Sequence, residues 1–125
     1  MLIEMLQCKI HGLTCTQTDL RYPGSVTVAE DLIQLAGWLP GQKVQVVNVN
    51  TGGRFETNLI KGERGSGVVC LNGAAARLAA VGDILLLMSY VYLDANEASC
   101  FEPKIIRVDA QNRALWSVPE LHPLA

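Results

Sequence analysis

Histidine is almost missing from this chain: His11 and His122 are the only two in 125 residues. No HExxH run occurs, and no histidine stands at zinc-finger spacing, so a His-built metal site or a hydrolase triad lacks its parts. Neither a G-x-S-x-G elbow nor a P-loop is present. Charge is scarce as well, at 18% of residues, against roughly 25% in an average domain. The net charge is -2, and the basic residues form no run. No electrostatic footprint for a nucleic acid therefore exists. The longest apolar run, Ile84 to Leu93, contains Ser89 and is bracketed by Asp83 and Asp94, far short of the roughly 20 residues a membrane helix needs. The start of the chain carries Glu4 and no basic segment, unlike a signal peptide, which makes the cytoplasm the expected location. The four cysteines, Cys8, Cys15, Cys70 and Cys100, form no CxxC pair and read as small buried hydrophobes in a reducing compartment.

Hydrophobic residues, by contrast, make up half the chain. One domain is expected over residues 1–118, followed by a loose tail at 119–125. So small and apolar a domain is expected to hide surface against copies of itself. Strand-like composition recurs at Leu2–Ile10, Ser25–Val28, Lys43–Val49, Arg54–Ile60, Gly67–Leu71, Ile84–Leu93, Ile105–Val108 and Ala114–Val118. Asn50-Thr51-Gly52-Gly53 reads as the loop of a hairpin between the third and fourth of these. Ala29, Leu32, Ile33 and Ala36 recur at helical spacing ahead of Gly37, a natural helix stop. An Ala-rich stretch from Ala74 to Ala80 suggests a second short helix. Gly62 to Gly67 reads as a connecting turn. The fold class expected from this pattern is mainly β, in one compact unit with short helices, closed as a barrel.

Arg21-Tyr22-Pro23-Gly24-Ser25-Val26 has two readings. The first is a turn, with proline at fixed φ and glycine free to bend. The second is chemical. A hydroxyl directly after a glycine can attack the glycine carbonyl, because no Cβ obstructs it and the backbone tolerates distortion. The amide becomes an ester, elimination releases the upstream chain, and the dehydroalanine left behind hydrolyses to a pyruvoyl group.

Five motifs in register surround this Gly-Ser pair. They are Met5-Leu6-Gln7-Cys8-Lys9-Ile10-His11, Tyr22-Pro23-Gly24-Ser25, Asn48 through Thr57, Glu63-Arg64-Gly65-Ser66-Gly67, and Leu71-Asn72-Gly73-Ala74-Ala75-Ala76, with Val81-Gly82-Asp83-Ile84 following. Together they resemble the pyruvoyl-dependent aspartate 1-decarboxylases, without gaps from residue 1 to about 93 and more thinly thereafter. The resemblance implies a small double-psi β-barrel, a homotetramer with active sites between subunits, and cleavage between Gly24 and Ser25. It implies conversion of L-aspartate to β-alanine and CO2, a step that supplies pantothenate and coenzyme A precursors. The cofactor would be a pyruvoyl group made from Ser25, which takes the substrate amine as a Schiff base. No metal is implied, and no nucleic acid or membrane partner. A maturation helper protein stays an open question.

The same resemblance assigns roles. Arg54 would grip a substrate carboxylate with its bidentate fork, and Lys9 could add a second cation or be an exposed edge charge. Thr57 would bond the carbonyl before the serine and line the substrate site. Asn72, Gly73, Ala74 and Ala75 would bring backbone N–H groups at a helix start to the substrate. Tyr22 and His11 match positions near the site. Asn58 departs from the pattern, since relatives usually carry a tyrosine there as proton donor, and an amide is no useful acid near neutral pH. Pro23, Arg77 and the segment after Leu93 differ as well. Two alternatives stay open: a non-catalytic or weakly active barrel that binds a small acid or a partner, which Asn58 favours, and a decarboxylase for another amino acid, against which Arg54 speaks.

Overall fold

The computed structural model describes residues 1–119; of the tail expected at 119–125, residues 120–125 lie outside the described residues. The strands are β1 (Leu2–Thr14), β2 (Gln17–Asp19), β3 (Ser25–Ala29), β4 (Lys43–Asn48), β5 (Arg54–Gly62), β6 (Val69–Asn72), β7 (Ile84–Asp94), β8 (Lys104–Val108) and β9 (Ala114–Pro119). Helix α1 spans Glu30–Ala36, a 3-10 helix spans Gly73–Arg77, and α2 spans Ala95–Cys100. The strand order is β2-β6-β3-β5-β4-β7-β1-β8-β9. β2 ends this order and β1 lies near its other end, yet only Cys15 and Thr16 separate them in sequence. The sheet must therefore curl round until its two halves meet. Cys15 N–H donates to the Asp83 carbonyl and Thr16 N–H to that of Val69, both at 2.9 Å, which stitches the seam. The mainly β barrel with short helices is the fold that forms.

Alternation builds the interior. Along β1, Cys8 and Ile10 are fully buried while Lys9 and His11 face outwards, half-buried. Val26 and Val28 of β3, Val44 and Val46 of β4, and Leu85 and Leu87 of β7 add their inward faces. Each large side chain fully removed from water contributes about 1.5–3 kcal/mol. Helix α1 is too short to be stable alone; Leu32, Ile33 and Ala36 hold it on the barrel. Gly37 ends it at φ +76, with its N–H on the Gln34 carbonyl and Trp38 N–H on that of Ile33.

The differences from expectation have local causes. β1 continues past Ile10 to Thr14 because it bulges at Leu6/Cys8 and His11/Leu13, which lets one strand turn round the barrel. Lys9 is consequently flanked by β7 and β8 and is no edge residue. The Ala-rich segment forms a 3-10 helix ending at Arg77 rather than a helix to Ala80. Side chains take over its last groups: Asn48 Nδ2 donates to the Leu78 carbonyl, and Asp83 Oδ2 accepts the Ala80 N–H. The strand expected from Gly67 begins at Val69, since Gly67 sits at φ +70. Two elements were not foreseen, the three-residue β2 and α2, the latter capped by Asp94 accepting from Glu97 N–H at 2.8 Å. Cys8, Cys15 and Cys70 are buried as expected, but Cys100 is exposed at the end of α2.

Candidate active site

The Gly24-Ser25 bond lies where the chain enters β3. β3 pairs with β5 in parallel, Val26 beside Leu59, and with β6 antiparallel, Ser25 opposite Asn72. Continued two residues back, the parallel register sets Gly24 beside Thr57. The pair does share a cavity of about 260 Å³, whose walls also include Phe55, Glu56, Ala74, Ala75 and Leu78. Thr57 faces inwards with Phe55 and Leu59, as strand alternation requires. Its hydroxyl makes no hydrogen bond to the Gly24 carbonyl among the described residues, so the contact expected there is not formed in this state.

Ser25 is 3% exposed. Its Oγ donates to the Pro23 carbonyl at 2.9 Å and accepts from Asn72 Nδ2 at 3.0 Å. The hydroxyl is thus held from both sides, one residue from the Gly24 carbonyl. Asn72, expected at the substrate, is turned towards the serine. Its second amide proton goes to Thr27 Oγ1, also at 3.0 Å. Gly73 explains why the loop can approach so closely. Its φ is +64, and a Cβ there would stand 2.7 Å from Gly24 N, 2.8 Å from Gly24 Cα and 2.9 Å from the Tyr22 carbonyl oxygen. No other residue fits between the cleavage loop and β6. Tyr22 is exposed and lines a second cavity of about 310 Å³ with Asp19, Thr27, Cys70 and Asn72.

The cations lie elsewhere. Arg54 and Asn58 share the exposed face of β5, Asn58 opposite Lys43. Pairing carries that face across the barrel wall: Arg54 beside Val47, Val47 beside Leu86, Leu86 beside His11. Lys9 lies on the same outer face. Arg54 forms no ion pair among the described residues, whereas Lys43 reaches Glu56 at 3.4 Å. His11 Nδ1 is buried without a hydrogen-bond partner among the described residues. Burial lowers the His11 pKa below its ordinary value, and the neighbouring Arg107 and then Lys9 add to the effect. Within one chain, then, Gly24, Ser25, Thr57, Asn72, Gly73, Ala74 and Ala75 come together with Tyr22 at their margin, while Lys9, His11, Arg54 and Asn58 occupy the outer wall. Among the described residues no cluster of metal ligands occurs, and no helix is long and apolar enough to cross a membrane.

The aspartate decarboxylase family model matches residues 1–115. The chain belongs to the aspartate decarboxylase family. It is 52% identical over 113 residues to the aspartate 1-decarboxylase of Pelotomaculum thermopropionicum, covering 90% of this chain and 86% of that protein. It is 55% identical over 113 residues to that of Caldicellulosiruptor saccharolyticus, covering 90% and 88%. With that of Neisseria meningitidis it shares 56% over 109 residues, covering 87% and 86%. The match to this family runs to residue 115, well past Leu93, where the motif-by-motif likeness thinned.

Three partners of the site escaped the sequence. Thr27 meets Asn72 only because β3 and β6 pair antiparallel, a long-range register that no local pattern encodes, whereas Cys70 precedes Asn72 by two residues on β6 and so shares its face. Asn48, fully buried, donates to Leu78 O and Asp83 Oδ2 and accepts the N–H groups of Asn50 and Thr51. It therefore fixes the wall of the cavity at Leu78. Its place beside a Gly-Gly turn was the available signal, since Asn commonly folds back on such turns.

Proposed function

We propose that this chain cuts itself between Gly24 and Ser25 and then converts L-aspartate to β-alanine and CO2. The observation that carries the reading is the hold on Ser25 Oγ by Asn72 and Pro23, directly after a glycine, in a member of this family.

In the first step Ser25 Oγ bonds to the Gly24 carbonyl carbon, the Gly24–Ser25 amide bond breaks, and the Oγ proton ends on the Ser25 nitrogen. In the second the Cα proton of residue 25 is lost to solvent and the Cβ–Oγ bond breaks. Its electron pair leaves with Gly24 as a carboxylate. Water then replaces the nitrogen, which departs as ammonia, and residue 25 becomes a terminal pyruvoyl group. Asn72 Nδ2 faces the oxygen that attacks and later leaves. Gly73 lets the loop come near enough for this.

Burial of Ser25 and the adjoining cavity suit such a group, which stays at the protein wall. When present, a ketone of this kind binds an amine and accepts the electron pair that decarboxylation leaves. The protein must supply a grip on the remaining carboxylate and a proton. Arg54 has the fork for the first task and, among the described residues, no ion partner to compete for it. Ala74 and Ala75 line the cavity with Thr57, which supports a role in substrate contact. Arg54, Lys9 and His11 stand on the outer face of the barrel wall and none of them lines the cavity at Gly24, which supports a homotetramer in which one copy's outer wall completes another's cavity.

Asn58 supports a second reading, a weakly active member of the family. Its amide is exposed and cannot give a proton near neutral pH, and proton transfer from a placed acid is worth typically about 10²–10⁴-fold. The experiment that separates the two is β-alanine formation from labelled aspartate, with the cleaved fraction measured by intact mass in the same sample. Complete cleavage with negligible turnover would favour the weaker reading.

A further inference from the structure

Asn72 stands at the centre of a hydrogen-bond cluster of which self-cleavage uses one end. Both protons of its Nδ2 are committed, to Ser25 Oγ and Thr27 Oγ1. Its Oδ1 accepts from Cys70 Sγ at 3.2 Å, and the thiol's other acceptor, the Leu71 carbonyl, is more distant at 3.9 Å. Cys70 is 5% exposed and lies opposite Thr27 in the register that sets Ser25 opposite Asn72. Burial holds the Cys70 thiol above its ordinary pKa, with Asp19 and Cys15 adding to this, so the proton is there to donate.

A carboxamide has two ends of like shape and opposite hydrogen-bonding character. Ser25 Oγ sends its proton to the Pro23 carbonyl and so can only accept from Asn72. A flipped amide would set Oδ1 against the lone pairs of Ser25 and leave Nδ2 facing sulfur, a weak acceptor. The thiol proton on Oδ1 opposes that flip from the far side. We propose that Cys70 is a positioning residue for self-cleavage: its S–H holds the Asn72 amide with Nδ2 towards Ser25 Oγ. The fixed donor aims the attacking oxygen and meets the charge that gathers on it as the Cβ–Oγ bond breaks. The inference rests on the self-cleavage reading of Ser25.

The test is pulse-chase synthesis of the full chain in a translation system of purified components, with cleavage followed by gel and mass. Cys70→Ala and Cys70→Val remove the donor; Cys70→Ser keeps one. Thermal midpoints are compared in a Ser25→Ala background, where every chain stays whole. Loss of one ordinary net hydrogen bond predicts cleavage roughly two- to tenfold slower for Ala and Val, and serine, which keeps a donor, is expected to cleave faster than either, within about twofold of unmodified protein. A filled core alone would rank Val above Ser, the reverse order. Folded Cys70→Ala cleaving as fast as unmodified chain would overturn the proposal, as would Cys70→Ser cleaving as slowly as Ala. Should Ala and Val fail to fold, a slow but folded Cys70→Ser overturns it alone. If the unmodified chain does not cleave, the self-cleavage reading falls and this inference with it, an outcome distinct from the others.

Discussion

Replacing Gly73 by alanine tests the closeness of the cleavage loop to β6. The new methyl would stand 2.7 Å from Gly24 N and 2.8 Å from Gly24 Cα, where ordinary contact begins at 3.4 Å. Both atoms are backbone, so the loop itself must move by several tenths of an ångström. Two costs add: left-handed φ on an L-residue, about 1–2 kcal/mol, and overpacking, about 1–3 kcal/mol. The expected loss of stability is roughly 2–5 kcal/mol. Gly37→Ala is the control, because Gly37 has φ +76 and a methyl there would meet nothing within 4 Å; only the backbone cost applies there. A misplacement of 1 Å can cost about 10²-fold in rate, so Gly73→Ala should cleave roughly 10- to 100-fold more slowly, and Gly37→Ala at the unmodified rate. Urea midpoints and intact-mass time courses measure both quantities on the same preparations. A folded Gly73→Ala protein that cleaves at the unmodified rate would refute the reasoning, since the loop would then not depend on that approach.

Arg54→Ala should cleave normally yet fail to turn over aspartate, and Arg54→Lys should rescue poorly because an ammonium cannot copy the fork; an uncleaved Arg54→Ala chain would assign the residue to the wrong step. Asn58→Tyr should raise β-alanine formation by up to about 10²-fold if a placed acid is what the site lacks, and an unchanged rate in an already brisk enzyme would mean that another group gives the proton. The depressed pKa of His11 means that the unfolded chain binds its proton first as pH falls below the ordinary histidine value of 6.5. This group therefore leaves stability unaffected above that pH and lowers it progressively below. Urea midpoints between about pH 7 and pH 5 should fall less steeply in His11→Asn than in the unmodified chain, and parallel slopes would show that His11 is not the source.

Much of this fold was legible in local patterns. The alternation of β4, β5 and β7 and the Gly37 stop of α1 are near-neighbour physics, and the structure keeps them almost residue for residue. β2 was invisible because three residues carry no periodicity. The 3-10 helix was overestimated because its end is set by Asn48 and Asp83, which are remote in sequence. The site divided in the same way. Thr57 was placed on its face by alternation alone, and Gly24-Ser25 stood out for its chemistry. The bond from Asn72 to Ser25 was hidden, because nothing local says that β6 lies opposite β3. The outward place of Arg54 was equally hidden, since membership of one motif set does not say which face of the barrel wall a residue takes.

The central claim is that the Gly24 carbonyl and the Ser25 hydroxyl react with each other in the folded chain. Intact mass of the purified protein after warm incubation tests it most directly. The account predicts two species: residues 1–24 ending in a free carboxylate, and residues 25–125 lighter by one ammonia than a fragment beginning with serine and blocked to sequencing from its N-terminus. Ser25→Ala should stay whole. A single full-length mass in the folded, unmodified protein, or a long fragment that begins with intact serine, would contradict the claim.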